Sequence, residues 1–279
     1  MLKKTTKLII IIILLVFSFI FTEKVTQEAK ENDPVMKKIK VYKKQNDVMP
    51  VEPVIKNSSI EIGMKGYVVN VNSSYKNMKE KNIFDENKIV KKEVLPDKSI
   101  KNNYSYYITR GNKMNKNVSI IFKIKDSKNL SKLISFSNNN DISINYFADG
   151  KWLSNNIEDM LTINNKSRIY NLGYDDKYDK SSINITNTLI ESITLKDSIF
   201  CLNDNKNDDY LEICEKNKMY SINPTLKNPS ILKLKKGLSK GAIISFDLDI
   251  YDTSLLNILI STIKNKGYNI VSLDKLIKE

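Results

Sequence analysis

The sequence predicts an α/β fold in which helices wrap a set of parallel strands, as in an incomplete or distorted (β/α) barrel. From Val118 to Glu279, short apolar runs alternate about seven times with longer segments of helical periodicity. Consecutive strands separated by a single helix run parallel. The chain has only 8 glycines and no G-x-G-x-x-G pattern, so a barrel fits better than a doubly wound dinucleotide-binding sheet.

The clearest unit lies at the end of the chain. Ala242–Phe246 is a short Ile-rich run that predicts a buried strand, and Asp252 follows as a candidate helix cap. Apolar residues then recur at helical spacing at Leu255, Ile258, Leu259, Thr262 and Ile263. Gly267 suits a helix C-terminus, and Tyr268–Leu273 predicts a second, parallel strand.

The preceding elements follow the same alternation. The predicted strands are VSIIFKI, DISINYFA, SRIYNLG, DSIFCL and MYSIN. The predicted helices between and after them are KNLSKLISF, LSNNIEDMLTI, SSINITNTLIESI, DDYLEICEKN and PSILKLKKGL. Residues 118–279 therefore form the main domain. Residues 59–117, with strands in GYVVNVN and NKIVKKEVLP and a helix in SYKNMKEK, read as a small appendage of unknown role.

The N-terminus has the pattern of a targeting segment. Lys3, Lys4 and Lys7 precede an apolar run within residues 1–22, and no small-residue cleavage site follows. We interpret 1–22 as a signal anchor or, alternatively, a signal peptide, with the remainder outside the cytoplasmic membrane or secreted. Residues 23–58 are polar and Lys-rich with several prolines, and they read as a stalk that buries little.

Charge and residue usage exclude several functions. Histidine is absent, which removes Ser-His-Asp and Cys-His catalysis and His-ligated zinc. The net charge of +13 suits anionic lipid headgroups or anionic wall polymers outside the cell, and no nucleic-acid-binding motif is present. Cys201 and Cys214 are compatible either with one disulfide or with two buried thiols.

Several stretches in this order resemble the NodB-homology domain of polysaccharide deacetylases, carbohydrate esterase family 4. VSIIFKIKDS resembles the family's first strand, which ends in T-F-D-D-G, and ISINYFADGKWLSNN resembles A-T-F-F-V-x-G-x-W-x-x-x-N. SRIYNLGYDDKY resembles the metal-binding G-H-E-I-G-N-H-T-x-x-H segment, and SIFCLNDNKNDDYLEICEKNKMYSI resembles F-R-x-P-Y-G-x and its helix. The closing segment resembles P-G-S-I-I-L-L-H-D with the final helix. The resemblance implies a deacetylase-type barrel in a cell-wall setting.

The residues at the family's catalytic positions depart from the pattern. Where the family has its general base and its metal-binding Asp, this sequence has Lys123 and Ile124. The two metal-binding histidines correspond to Leu172 and Asp176, the base-orienting arginine to Cys201, and the leaving-group histidine to Asp247. The family uses a divalent metal, typically zinc, to activate water. Because these ligands are missing, we expect no catalytic residues and no cofactor, although the enzyme question stays open.

Two further sets of side chains are candidates for binding. Carboxylates after different strands converge on one face of a barrel, and the weak candidates for a hard cation are Asp175, Asp176, Asp247 and Asp249. The alternative is that they are solvated loop residues, with Lys123 paired to some of them. The candidates for stacking on sugar rings are Tyr146, Trp152, Tyr170 and Tyr174, with burial in the core as the alternative.

These observations favour one function and leave two others open. The favoured hypothesis is a membrane-anchored, extracytoplasmic, deacetylase-like pseudoenzyme that binds or scaffolds cell-wall glycan. The first alternative is an active carbohydrate N-deacetylase with a carboxylate-only metal site. The second is a basic surface protein that binds anionic wall polymers through its lysines.

Overall fold

The structure is a computed structural model that describes residues 2–163, 166–248 and 253–279, with the side chains of 2–11 and of Thr253 left aside. The helices are α1 (Leu2–Asn32), α2 (Pro34–Asn46), α3 (Val71–Met78), α4 (Leu130–Asn139), α5 (Gly150–Asn155), α6 (Ile157–Leu161), α7 (Lys180–Thr194), α8 (Asp208–Lys216), α9 (Ile231–Gly237), α10 (Thr253–Asn265) and α11 (Leu273–Leu276). The strands are β1 (Val54–Lys56), β2 (Ser59–Glu61), β3 (Gly66–Val69), β4 (Lys91–Val94), β5 (Tyr107–Arg110), β6 (Asn117–Ile124), β7 (Asn145–Ala148), β8 (Arg168–Asn171), β9 (Phe200–Leu202), β10 (Tyr220–Ile222), β11 (Leu226–Lys227), β12 (Ile243–Asp247) and β13 (Asn269–Ile270).

The chain divides into two compact units whose boundaries differ from the predicted domains. One unit comprises residues 1–50 and 65–94, and the other comprises 51–64 and 95–279. Residues 51–64 and 95–117 therefore belong with the main domain rather than with an appendage. The sequence did not predict this, because β2 and β5 are short strands whose partners are distant in the sequence. β2 pairs with β5, and β5 pairs with β10.

The first unit contains more structure than the predicted stalk. Asp33 caps α2 by accepting hydrogen bonds from the backbone N–H groups of Val35 and Met36. Val35, Met36 and Ile39 on α2 are buried in one cluster with Tyr75 and Met78 of α3. The stalk prediction was wrong for this segment, because three apolar residues at helical spacing suffice to bury one face of a Lys-rich helix.

The N-terminal helix α1 includes the predicted targeting segment. Its apolar residues from Ile12 to Phe21 are exposed. Within the part of the chain that the structure describes, no helix combines the length and apolarity that a bilayer span requires. The membrane segment thus stays a prediction.

The second unit is a distorted barrel, as the sequence predicts. Its strands follow the order β1-β2-β5-β10-β9-β8-β7-β6-β12-β11, and the pairs from β5 to β12 are parallel. A bridge between Arg110 and Ala242 joins the carboxyl end of β5 to the residue that precedes β12. Beside it, the Thr225 hydroxyl donates to the Thr109 carbonyl at 2.6 Å and accepts from the Ile243 N–H at 3.1 Å. A side chain therefore completes the closure where backbone pairing fails.

Apolar side chains alternate between the two faces of the sheet. Ile121 and Ile243 point into the barrel interior with Phe147 and Phe200, and Phe122 lies in the cluster beneath the surrounding helices. The predicted final strand is shorter than expected: β13 pairs with β6 for two residues, and Ser272 then caps α11. Leu273 and Leu276 of α11 are buried in the interior cluster and plug the amino-terminal end of the barrel.

Two predicted helices differ in detail. LSNNIEDMLTI forms α5 and α6 with a break at Asn156, whose amide side chain donates to the Trp152 carbonyl at 2.7 Å and competes with the helical pattern. In α10 the buried face is Leu256, Leu259, Ile260 and Ile263, and Ile258 is exposed, so the predicted face was rotated. Gly267 has φ +75°, as its predicted role requires. The predicted cap Asp252 lies outside the described residues.

Candidate functional site

The candidate site lies at the carboxyl ends of three barrel strands. Lys123 near the end of β6 is directly opposite Asp247 of β12 in the parallel register. Asp204 follows β9 two residues after its end. Strand alternation places Lys123 on the same side of β6 as Ile121, which faces the barrel interior. The three charged side chains therefore meet at the mouth of the barrel.

Lys123 makes two ion pairs. Its ammonium lies 2.8 Å from Asp204 Oδ2 and 2.6 Å from Asp247 Oδ1. Lys123 and Asp204 are each 19% exposed, and Asp247 is 33% exposed. Burial acts to lower the pKa of Lys123, but the hydrogen bonds and the charges of the two carboxylates outweigh it and hold that pKa above its ordinary value. Lys123 is thus a fixed cation and not a base.

Neighbouring side chains hold the Asp247 carboxylate and the backbone of Asp204 in place. Asn228 donates through Nδ2 to Asp247 Oδ2 at 2.6 Å, and its Oδ1 accepts from the Asp247 N–H at 2.8 Å. Asn223 donates to the carbonyl oxygens of Asn203 and Asp204 at 2.6 and 3.0 Å. The Lys227 ammonium also donates to the Asp204 carbonyl. Asn228 therefore positions the Asp247 carboxylate independently of Lys123, whereas Asn223 and Lys227 fix only the backbone of Asp204.

A cleft opens beside this triad on the β9–α8 side. Its volume is about 300 Å³. The lining residues are Lys123, Lys125, Leu172, Tyr178, Leu202, Asn203, Asp204, Asn205, Asn207 and Tyr210. We call it the mouth cleft. The rings of Tyr178 and Tyr210 are in tilted contact with centroids 4.7 Å apart, and burial raises the pKa of both hydroxyls.

Two polar atoms of the mouth cleft lack hydrogen-bond partners among the described residues. They are Asp204 Oδ1 and the Tyr210 hydroxyl, and both atoms are buried. Tyr210 as a whole is 5% exposed. Burial of an unpaired polar group costs about 1–3 kcal/mol, so such atoms mark a position where a ligand or water supplies the missing partner. Asp204 Oδ1 needs a hydrogen-bond donor, and the Tyr210 hydroxyl can donate or accept a hydrogen bond.

The residues at the mouth do not fit a divalent metal. Leu172 is buried, offers no donor, and is oriented by the Gly173 turn, where φ is +83°. Ile124 is buried beneath the surrounding helices. In the described ranges, no three Cys, Asp or Glu side chains come close enough to hold a metal ion. The Lys123 ammonium repels a cation from the position where these strands end.

The predicted carboxylate cluster does not form among its described members. Asp175 pairs with Lys151 at 2.8 Å, and Asp176 pairs with Lys125. Both are surface pairs, so they agree with the solvated-loop alternative. Asp247 binds Lys123 instead. Asp249 lies outside the described residues.

Comparisons with known proteins give a consistent fold. Neither a protein-family model nor a curated protein matches the sequence. Among solved structures, BA3943 of Bacillus anthracis, described as a carbohydrate esterase family 4 pseudoenzyme, is 21% identical with a TM-score of 0.67 over 88% of this chain and 95% of that one. The Bc1960 peptidoglycan N-acetylglucosamine deacetylase is 14% identical with a TM-score of 0.54 over 62% and 95%. PdaA of Bacillus subtilis, a family 4 carbohydrate esterase, is 14% identical with a TM-score of 0.51 over 61% and 86%.

The chain has the NodB-type polysaccharide deacetylase fold. The predicted resemblance is confirmed at the level of the fold. Lys123, Leu172 and Asp247 lie at the barrel mouth, where the deacetylase motifs place their catalytic groups. The likeness to BA3943 extends over more of the chain than residues 118–279, in agreement with the inclusion of β2 and β5 in the barrel sheet.

Cys201, at the motif position of the base-orienting arginine, is disulfide-bonded to Cys214. The bond joins β9 to α8 across a Cα–Cα distance of 6.3 Å, and both cysteines are fully buried. Asp204 and Tyr210 lie on the segment between the two cysteines. Of the two alternatives left open by the sequence, the structure contains the disulfide, and it fixes one wall of the mouth cleft to the deacetylase-fold sheet.

Three of the four candidate stacking residues have no accessible ring face. Tyr146, Trp152 and Tyr170 are 0%, 8% and 3% exposed and belong to the two barrel cores. The prediction that they stack on sugar was wrong. Tyr146 and Tyr170 lie on parallel strands that are covered on both faces, and Trp152 of α5 packs into the core cluster beneath the helices. Tyr174 is partly exposed and remains a candidate.

Sequence reasoning missed Asp204, Asn228 and Tyr210. Asp204 lies two residues after the end of β9, and this position after a strand could have identified it as a site residue. It was obscured by two further acids nearby in the sequence, Asp208 and Asp209, which form the start of α8. Asn228 and Tyr210 carried no local signal, since their roles depend on contacts between separate elements.

Proposed function

We propose that this chain is an extracytoplasmic, deacetylase-fold pseudoenzyme that binds cell-wall glycan without deacetylating it. The observation that carries the proposal is the Lys123 ammonium bound to Asp204 and Asp247. Deacetylation needs a base and a metal-activated water near the acetamide carbon. A protonated lysine occupies the position of the base, and an aliphatic residue, Leu172, occupies a ligand position.

The mouth cleft supports the binding half of the proposal. Asp204 Oδ1 accepts hydrogen bonds and the Tyr210 hydroxyl can donate one, and both await a partner. Asn203, Asn205 and Asn207 line the same cleft. Hydroxyl and amide groups of a sugar supply the matching donors and acceptors. The chain shares its fold with the peptidoglycan deacetylase Bc1960 and with the pseudoenzyme BA3943, and this likeness favours a wall glycan as the sugar.

The test combines binding with turnover. We expect a tetramer of N-acetylglucosamine to bind the purified chain by calorimetry and to release no acetate, with or without added Zn²⁺ or Co²⁺. Tyr210→Phe and Asp204→Asn each weaken binding several-fold, because each removes one unpaired group. Tyr67→Phe is the matched control, since it removes a tyrosine hydroxyl from the other unit.

Three results would contradict the proposal in different ways. Metal-dependent acetate release would make the chain an active esterase, the first alternative from the sequence. Glycan binding that Tyr210→Phe and Tyr67→Phe weaken equally would place the ligand elsewhere. Absence of any glycan binding would reject the binding role and leave only the inactive barrel.

A further inference from the structure

A second, larger cavity of the barrel unit lies at the end opposite the mouth. Its volume is about 940 Å³. The amino-terminal ends of β8 and β9, the end of α7 and the plug helix α11 form its walls. The charged lining residues are Arg168, Lys196, Asp197, Asp274, Lys275 and Lys278. We call this cavity the basal cleft.

The basal cleft has an excess of positive charge. Asp274 accepts a hydrogen bond from the Tyr170 hydroxyl at 2.6 Å and lies 3.9 Å from Arg168 Nε. In the part of the chain that the structure describes, no carboxylate lies within ion-pair distance of the ammonium groups of Lys196, Lys275 and Lys278. All three lysines are exposed. Three cations from two separate segments thus face one cavity with only Asp197 left to oppose them.

The lining also contains three isoleucines beside the polar residues Ser167, Thr194 and Ser272. Ile163, Ile169 and Ile199 contribute to the walls, and Ile199 is 40% exposed although it is a large apolar residue. A ligand that suits this surface carries an anionic group on an uncharged carbon chain. The volume is at the upper end of the range of about 300–1,000 Å³ for small-molecule sites, so a bare anion would fill little of it.

We propose that the basal cleft binds a phosphate ester carried on a polyol or lipid chain, with Lys196, Lys275 and Lys278 around the phosphate. The lysines act as ammonium donors to the phosphate oxygens. The isoleucines cover the carbon chain. This site is separate from the mouth cleft and does not depend on the proposed glycan binding there.

The experiment uses the full-length chain reconstituted in phosphatidylcholine nanodiscs. The first probe is a short linear oligomer of glycerol phosphate, and the second is phosphatidylglycerol mixed into the nanodisc or vesicle. The two probes carry the same phosphodiester chemistry in soluble and in lipid form, so they distinguish the source. Binding is measured at two salt concentrations, since phosphate contacts weaken as salt screens them.

We expect Lys275→Ala with Lys278→Ala to weaken binding of the recognised probe about 25-fold, from the loss of two surface charges. Lys196→Ala, on a different segment, weakens it about fivefold and guards against a folding defect in α11. Lys233→Ala with Lys236→Ala removes the same charge from exposed positions of α9 and changes affinity less than about twofold. Equal losses in the cleft and control variants, or no binding of either probe, would overturn the proposal.

Discussion

Replacing Lys123 with methionine tests the structure of the barrel mouth. The substitution keeps a long, unbranched side chain and removes only the charge and its hydrogen bonds. Asp204 and Asp247 then lose their shared cation, while Asn228 still holds the Asp247 carboxylate and Asn223 still holds the backbone of Asp204. We expect the folded state to lose stability, since two carboxylates remain close together and partly buried.

The magnitude follows from distance and burial. Each ion pair, at 2.8 and 2.6 Å, contributes about 4 kcal/mol or more of attraction at the effective dielectric near a protein surface, before desolvation offsets most of it. Removing one partner of a fully buried pair costs about 3–5 kcal/mol. Because the triad borders a cleft and Asp247 is 33% exposed, we expect about 2–3 kcal/mol. For a chain of this size the melting temperature then falls by roughly 4–12 °C.

Thermal unfolding of wild type and variants measures the effect. Lys125→Met is the matched control, because Lys125 pairs with Asp176 and the two side chains are 48% and 70% exposed. Its cost should be near zero. Adding Asp247→Asn to Lys123→Met should recover part of the loss, because it removes one of the two facing charges. A Lys123→Met protein as stable as the wild type, or as the Lys125→Met control, would refute the structural role assigned to the triad.

Four other predictions follow from the structure. Calorimetric titration with Zn²⁺, Co²⁺, Mn²⁺ and Ca²⁺ should show no micromolar binding, and chelators should leave the melting temperature unchanged; tight binding lost on Asp247→Asn would show a live metal site. Hydrogen bonds raise the folded-state pKa of Lys123, so the stabilisation by Lys123 should be full below about pH 10.5 and be lost at higher pH. The melting temperatures of wild type and Lys123→Met should therefore converge in alkaline buffer. A constant difference between them would contradict this. Replacing both Cys201 and Cys214 by alanine should lower the free energy of unfolding by about 3 kcal/mol for a disulfide between residues 13 positions apart, measured by denaturant unfolding, and an unchanged midpoint would show that other contacts hold this loop. Protease added to intact, wall-stripped cells should remove the barrel, whereas full protection would place it inside.

The regular part of the fold was predictable because each element carries its own pattern. From β6 onward, every predicted strand and helix has a counterpart, and Gly267 occupies its expected turn conformation. The first strands of the barrel sheet were not assigned to it, because β2 and β5 pair with residues far along the chain. Short strands without a following helix give no periodic signal for such partners.

The site was predictable to the extent that it depends on strand ends. Lys123 and Asp247 follow from the rule that parallel strands bring their carboxyl ends together, and the structure joins them directly. The alternation of side chains along a strand could not show which aromatic candidates are exposed. Both faces of this sheet are covered, and Tyr146 and Tyr170 are buried on opposite sides of it. The disulfide could not be decided either, since spacing alone fixes no geometry.

The position of β6 within the barrel has a consequence for how the chain folds. Its neighbour β7 is made soon after it, but its other neighbour, β12, lies more than a hundred residues further along the sequence. Until residues 243–247 have been synthesised, β6 therefore presents an uncovered edge of unpaired backbone groups and apolar side chains. The contact between Lys123 and Asp247 forms in this same late step. We expect exposure of this edge during synthesis, more than the stability of the finished barrel, to limit the yield of native protein. A holding chaperone that covers the edge should therefore raise that yield.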